Sequence, residues 1–512
     1  MSRKGVLAHS IYERLNRQQI DRLHAASMEL LRNPGIICHN REAADIFSSH
    51  GAKVNADPSG KYWQVSIAEA LVSRALETAP KIVKLGARRE ENSLILDASE
   101  PRLYFASGSE TNVWLDVNVE TFVNKADQSV EVELATFHPR RGTLADLCSA
   151  AHLAEHLDNL DGFIRPVNIQ DEDITEDNQD VNKFFACLNN TTKHVMAGLT
   201  NLSQLEAVLR MAEIIAGGYE ELRRNPIISF ITCVFKSPFE MVEDTTQKCI
   251  EIVRRGMPLV ISSSPQGGST APIKEDGIVA QINAEILGGI ILSQLVKPGA
   301  PVIYGSVPTR AGLDDLADSY GVPEFNQYNI DCVQMARYYG LPCYSTAGVA
   351  DVKVPGIQAT VEKLFSHIVV ALSGAQYIHY AFGLLDKTNT FCPVQAVLDD
   401  AHIGMVKSFL NAPKVDDNEL SISLDQIRQV MSTPDKLFIR YIRSKLRAGE
   451  VSLPYPFEGS KERDEVLVQA YKKMQEILQR PVEHIPPDLT ETIFQEVPGI
   501  LPRLNTYSQQ TA

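Results

Sequence analysis

The chain has 512 residues, of which 44% are hydrophobic and 22% charged, a profile that excludes a disordered tail or a fibre. Its 49 basic and 64 acidic residues leave a net charge of −15. That sign argues against nucleic acid as a partner, because phosphate backbones select basic surfaces.

The N-terminus, MSRKGVLAHSIYERLN, lacks the continuous apolar core of a signal peptide. Residues 10–92 read as helical, with Ile20, Leu23, Leu30 and Leu31 sharing one face. Ser66, with Glu69 three positions later, predicts a capping box ahead of IAEALVSRALETA, and Pro80 closes that run. Residues 93–135 hold short strand-like pieces (LILD, RLYFA, NVWLDVNV, TFVNK) and predict an added β-region.

A rhythm then runs from about residue 100 to 412. Eight short apolar runs lie at 102–108, 162–170, 194–200, 227–234, 258–264, 301–307, 341–348 and 376–383, and helical stretches separate them. Continuous rather than alternating apolar strands mean burial on both faces, as in parallel sheets. Eight such units predict an α/β fold, a (β/α)8 TIM barrel. A doubly wound open sheet is the alternative, although no GxGxxG comes after the first run. The most apolar stretch, 277–296, holds Gln281, Asn283, Glu285 and Gln294 and reads as a helix buried on most faces rather than a membrane span. Beyond 413 the chain is polar, with helical pieces at 423–431, 434–447 and 461–480. The expected division is an N-terminal helical extension (1–92), a barrel (93–412) and a C-terminal helical extension (413–512). Eight scattered cysteines without a CxxC pair read as reduced core thiols of a cytoplasmic protein.

In a barrel the chemistry sits at the C-terminal ends of the strands. The residues expected there are mostly neutral and aromatic: Tyr104, Asn168, Gln170, Thr200, Ser262 to Ser264, Gln266, Tyr304, Ser306, Tyr344, Ser345, His379 and Tyr380, with Phe391 nearby. Converging rings hold a cation for about 0.5–2 kcal/mol per contact, although any single ring fits barrel packing equally well. No HxH, CxxC, HExxH, GxxxxGK[ST] or GxSxG is present, while a metal site assembled from Cys233, Cys343 and His379 on separate strands stays open. None of the eight runs ends in Lys or a carboxylate, which disfavours a barrel lyase.

Several long stretches resemble the trimethylamine methyltransferase family. They are APIKEDGIVAQINAEILGGIILSQLVKPGAPVIYG (271–305), RRGTLADLCSAAHLAEHLDNLDGF (140–163), GLPCYSTAGVADVKVPGIQATVEK (340–363) and GAQYIHYAFGLLD (374–386). LHAASMELLRNPGIICHNREAADIFSSHGAKV (23–54) and HIPPDLTETI (484–493) extend the resemblance over nearly the whole chain. It implies a barrel enzyme that moves a methyl group from an amine to the cobalt of a corrinoid carried by a separate protein. No cofactor is then held permanently by this chain. Archaeal trimethylamine enzymes of the family carry pyrrolysine after the seventh strand. Gln358 stands at the matching position here, and Gly356 where an acidic residue is expected. The resemblance therefore points to the branch acting on quaternary amines such as glycine betaine, proline betaine or carnitine.

On this reading Tyr104, Tyr304, Tyr344, His379, Tyr380 and Phe391 contribute to a cage for the methylammonium, with His379 the leading catalytic position and Gln358 the second. Arg310, or Arg165, would receive a substrate carboxylate through paired N–H donors. The resemblance further suggests a homo-oligomer, and neither nucleic acid nor membrane is expected as a partner. A betaine-binding barrel without catalysis, and a methyltransferase acting on trimethylamine itself, are the rival readings.

Overall fold

A computed structural model describes residues 4–504 except 109, 124–130, 414, 435 and 449–465. Eight parallel strands form one curled sheet: β1 (Arg102–Phe105), β2 (Gly162–Ile164), β3 (His194–Ala197), β4 (Ile228–Cys233), β5 (Leu259–Ser263), β6 (Val302–Ser306), β7 (Cys343–Thr346) and β8 (Tyr377–His379). Each falls inside one of the eight apolar runs. The ladder order is β1-β8-β7-β6-β5-β4-β3-β2, and Val6–Leu7 adds an antiparallel strand outside β1. Every strand thus lies beside its sequence neighbour, without the reversal a doubly wound sheet requires. The two ends of this order meet at the parallel bridge Ala106 to Gly162, beside which the Asp161 N–H donates to the Phe105 carbonyl at 2.7 Å, and a further parallel bridge, Thr111 to Val167, joins the segments just beyond them. The sheet is therefore curled until its ends touch, through isolated bridges rather than a ladder among the described residues.

Helices alternate with the strands: α1 (Leu144–His156), α2 (Gln179–Asn190), α3 (Leu205–Ala216), α4 (Glu243–Arg255), α5 (Glu275–Val296), α6 (Pro323–Tyr338), α7 (Ile357–Leu372) and α8 (Pro393–Leu410). Alternate strand residues face them. Val195, Phe230, Ile261, Tyr304 and Ile378 belong to the outer core, whereas Tyr104, Met196, Val260, Ile303, Tyr344 and Tyr377 belong to the inner one. Helix α5 is long and apolar enough to cross a membrane, yet it lies buried within the molecule. Its polar residues face partners there. The Asn283 carboxamide takes the Tyr304 hydroxyl at 2.9 Å and donates to Ser27 and Tyr339.

The N-terminal region differs from the helical expectation. Helices at Arg17–Arg32, Arg41–Ser49 and Glu69–Thr78 alternate with strands at Ile36–Cys38, Lys53–Ala56, Trp63–Ser66 and Ile82–Leu85. Ser66 ends a strand, and Ala68 occupies the cap position with no side-chain cap bond, so the capping box does not form. Three of these strands extend a sheet with Phe235–Lys236 and Glu240–Met241 from the loop after β4, which accounts for their pairing. In the added β-region, Val113–Val123 and Glu131–Arg141 form a long hairpin that also pairs with Thr390–Phe391. A second hairpin, Ile82–Leu85 with Leu94–Asp97, inserts Val83, Leu85, Leu94 and Leu96 into the inner core. It closes the end of the sheet where the strands begin: the Gly86 carbonyl lies 2.6 Å from Nδ1 of His194, the first residue of β3. Helices at Asp417–Met431, Ile439–Arg447 and Val466–Leu478 overlap the three C-terminal expectations, the first beginning earlier and the second later than expected and residues 461–465 of the third lying outside the described residues, and Pro487–Glu496 adds one more.

Candidate functional site

The C-terminal ends of the strands carry a stack of rings. Tyr344 on β7 and His379 on β8 lie 4.0 Å apart between centroids at an interplanar angle of 24°, and Tyr380 lies 3.8 Å from His379. Regular alternation would turn Tyr380 away from its neighbour's side of the strand. Its φ of +66° breaks the alternation, and its ring packs against the inner core. A non-glycine residue in this left-handed region is strained, and such strain concentrates at functional sites.

Hydrogen bonding sets the state of His379. The Thr346 hydroxyl donates to the Ser306 carbonyl at 3.1 Å, and its oxygen lies 2.7 Å from Nε2 of His379. While that hydroxyl proton is given to the Ser306 carbonyl, Nε2 would be the donor of the Thr346–His379 hydrogen bond. Nδ1 is buried and has no hydrogen-bond partner among the described residues. Burial pushes this imidazole well below its ordinary value, so it is neutral near pH 7.

Opposite the rings, other strand ends bring polar groups. Cys233 at the end of β4 is solvent-accessible, with its sulfur 3.0 Å from the Ser262 hydroxyl of β5. A carboxylate also reaches the mouth. Glu110, just past β1, pairs with Arg165 beyond β2, whose other arm donates to Asn168 Oδ1 at 3.0 Å. Burial acts to raise the Glu110 carboxyl, but the Arg165 and Lys183 cations outweigh it and hold it below the carboxylate range. Arg165 is almost wholly enclosed, while Glu110 is 48% exposed, so the pair shows its negative end to the mouth. At Gly198, just beyond β3, a Cβ would lie 3.2 Å from Oε1 of Glu110, so the bare backbone gives that carboxylate room.

The expected site residues thus separate. Tyr344, His379 and Tyr380 come together. Tyr104 faces the inner core lower down, where its hydroxyl meets the Ile95 backbone of the closing hairpin. Tyr304 turns to the opposite face of β6, bonding to Asn283 on α5, so it is outside the ring cluster. Phe391 packs on Trp114 at 5.5 Å in the outer core. Gln358 is exposed on α7, with its amide 2.7 Å from Glu362. Arg310 stands in a small sheet at the mouth, formed by Gln266–Gly267, Thr309–Ala311 and Asp318–Ser319. It is half-buried, its Nε is enclosed without a hydrogen-bond partner, and no ion pair neutralises it among the described residues. Cys343 faces the helices and accepts the Gln376 N–H, away from His379 on the inner side.

Sequence reasoning misses Glu110 and Thr346. Glu110 lies two residues beyond an apolar run, in SGSE, where a strand end passes into a loop. Thr346 carries no signal of its own, because its role comes only from pairing with β8.

The family model described as trimethylamine methyltransferase matches residues 4–439. The chain is 30% identical over 407 residues to trimethylamine methyltransferase MttB of Desulfitobacterium hafniense (strain DSM 10664 / DCB-2), covering 80% of this chain and 77% of that one. It is 31% identical over 413 residues to trimethylamine methyltransferase MttB1 of Methanosarcina mazei, covering 80% and 78%. Identity to the glycine betaine methyltransferase of Desulfitobacterium hafniense (strain Y51) is 25%, but over 489 residues, 94% of this chain and 95% of that protein.

Proposed function

The chain belongs to the trimethylamine methyltransferase family, and from that premise we propose that it takes a methyl group from a quaternary ammonium compound and delivers it to a corrinoid brought by a partner protein. The observation that carries this reading is the pairing of a neutral ring stack, Tyr344–His379–Tyr380, with the ionised Glu110 at one strand-end mouth. Rings and a carboxylate attract a cation that has no N–H to donate. A protonated histidine would repel it, and burial keeps His379 neutral.

A quaternary ammonium has no proton to lose. When its methyl leaves, the bonding pair stays on nitrogen and the tertiary amine departs neutral, so the protein need supply neither acid nor base. Its task is orientation, which contributes roughly 7–11 kcal/mol when reactants are held in line. We assign the hold on the ammonium to the three rings and Glu110, and a substrate carboxylate to Arg310, whose guanidinium meets no anion among the described residues. The residues present suit a cofactor arriving from outside, since Glu110 and Cys233 sit among strand ends and still reach solvent. The docked corrinoid, when reduced, supplies the nucleophile. On this reading the curled sheet works as a complete (β/α)8 barrel with its mouth as the docking face.

The test mixes the protein with Co(I) cobalamin or the cognate corrinoid protein and, separately, glycine betaine, proline betaine, carnitine and trimethylamine. Loss of the Co(I) absorption and release of the demethylated amine are monitored together. Turnover with a quaternary amine is expected. Turnover with trimethylamine alone would move the chain to the activity its 30–31% relatives are named for. Tight betaine binding without turnover would favour a binding barrel.

A further inference from the structure

A cavity of 810 Å³ lies between the helix Arg17–Arg32 and the first turns of α5, apart from the ring cluster and its carboxylate. Leu23, Ala26 and Leu30 of that helix, Phe239 from the loop after β4 and Ala280 of α5 form its apolar wall. The helix brings its three residues to one side at offsets of three and four. Leu23 is buried and Leu30 half-buried, and the small side chain of Ala26 between them leaves the space open. Phe239 and Pro272 belong to the loops after β4 and β5, so the cavity sits beside the mouth.

The polar part of the lining is made of acceptors. Asp331 on α6 is 1% exposed; its Oδ1 takes the Arg14 Nε–H at 2.9 Å, and its Oδ2 has no donor among the described residues. Gln281 on α5 is 6% exposed. Its NH2 group donates to the Thr270 carbonyl at 3.0 Å and to the Glu285 carboxylate at 3.1 Å. Both partners are acceptors, which fixes the orientation of the amide and leaves its carbonyl oxygen without a donor among the described residues. Arg14 divides its guanidinium between Asp331 and Glu275, so one cation serves two carboxylates. Glu29 and Asp276 add two more acids, and exposed Arg22 is the one base among the described lining residues. The N-terminus of α5 accounts for Glu275 and Asp276, since acids suit the helix dipole there. It does not account for Asp331, in the middle of α6, or for Gln281, beyond the first turn of α5. Burial lifts the Asp331 carboxyl to about 6 against the pull of the Arg14 guanidinium, so it is ionised at pH 7. A buried polar atom without a partner calls for one.

We propose that this cavity binds a small organic ammonium that carries N–H groups, with its hydrogens given to Asp331 and the Gln281 carbonyl and its hydrocarbon body laid on the Leu23–Phe239 wall. The N–H is the difference from the mouth. Rings and Glu110 suit an ammonium with nothing to donate, whereas free acceptors are satisfied only by a donor. An amine released at the mouth gains a proton in water and becomes such a donor. The cavity then takes the product class and rejects the substrate class, a link that rests on the proposed methyl transfer, while the chemistry of the cavity does not.

Calorimetric titration of the full chain tests this without any turnover. The ligands are butyldimethylammonium and butyltrimethylammonium, which differ only in an N–H replaced by a methyl. The tertiary ion is expected to bind, and Asp331→Asn to weaken it about tenfold or more, as loss of a charge-assisted bond does. Ala26→Trp, a surface change that fills the cavity, is expected to abolish that binding with unchanged circular dichroism. Whatever heat the quaternary ion gives is expected to survive Ala26→Trp. Binding of the tertiary ion that survives both variants overturns the proposal. So does its failure to bind at millimolar concentration, or an equal affinity for both ions that Ala26→Trp removes together. Tighter binding of Nα-acetyl-lysine methylamide than of the tertiary ion would assign the cavity to a lysine of a docking protein and equally overturn it. Binding here in a chain that transfers no methyl group would sink the proposed function alone, whereas turnover without such binding would sink the cavity alone.

Discussion

Tyr380 reaches the mouth only because its backbone is left-handed, and no reading of side-chain alternation reveals that. The sequence marks the right dipeptide, His379–Tyr380, but the two rings share one side for a reason held in φ. Tyr304 shows the converse. In sequence it is equivalent to Tyr344, yet alternation from Ile303 inside turns it to the helices. Two predictions belong at this scale. The first concerns pH. His379 has its folded value depressed, so it gains a proton only below the ordinary imidazole range of about 6.5. With the proposed quaternary ammonium bound, that proton would place a second cation beside it, so kcat/KM is expected to fall as pH drops through the depressed value and to be flat with respect to this group above it. A pH profile in which His379→Gln removes an acid limb lying above 6.5 would contradict the burial argument. The second concerns Glu110. Glu110→Gln is expected to raise KM for a quaternary amine about tenfold, or about 1.4 kcal/mol. Inhibition by the uncharged carbon isostere, with a quaternary carbon in place of nitrogen, should barely change. Equal weakening of both ligands would make Glu110 a mere prop for Arg165.

Elements at the mouth are held by polar side chains reaching in from the helix layer. Asp180 on α2 accepts the Thr200 and Asn201 N–H groups beyond β3. Glu285 on α5 accepts the Ser237 hydroxyl and the Phe239 N–H beyond β4 and the Ser263 hydroxyl of β5. Asn329 on α6 accepts the Ser345 hydroxyl and Thr346 N–H of β7. Lys363 on α7 donates to the Gly348 and Leu384 carbonyls beyond β7 and β8, and lies 3.1 Å from Asp399 of α8, which takes the Gly383 N–H. Burial opposes ionisation of Asp399, and the Lys363 ammonium more than offsets it. Both side chains of this pair are fully buried. Lys363→Met alone should therefore cost about 3–5 kcal/mol, because it strands a buried carboxylate. Lys363→Met with Asp399→Leu should cost less than the single change. Denaturant titration measures both, and a double variant less stable than the single one would refute the pairing. None of these roles is legible in the sequence, since a polar residue on a helix resembles a solvated face until the loop above it is placed. The eight strands are legible because two-sided burial makes their apolar runs continuous. The N-terminal strands are not. Lys53–Ala56 and Trp63–Ser66 are short and half-exposed, and they pair with each other and with Ile36–Cys38, which alone pairs with the distant Glu240–Met241.

At the scale of the whole molecule, the sequence indicates how many strands there are and what separates them, while their order and the touching ends are properties of the assembled sheet. The hairpin Ile82–Leu85/Leu94–Asp97 belongs here too. Its strands read as fragments attached to a helical region, and their place is visible only once Val83, Leu85, Leu94 and Leu96 join the inner core. Because this hairpin packs into the end where the strands begin, access to the ring cluster is left to the opening at the strands' C-terminal ends. On the proposed function, small substrate and bulky partner would share that opening, so traffic through it would be ordered in time: the amine enters first, the cofactor-bearing protein covers it, and the demethylated product waits until the cover lifts. Steady-state kinetics should accordingly be ordered, with excess partner protein slowing turnover by sealing the opening before the amine enters.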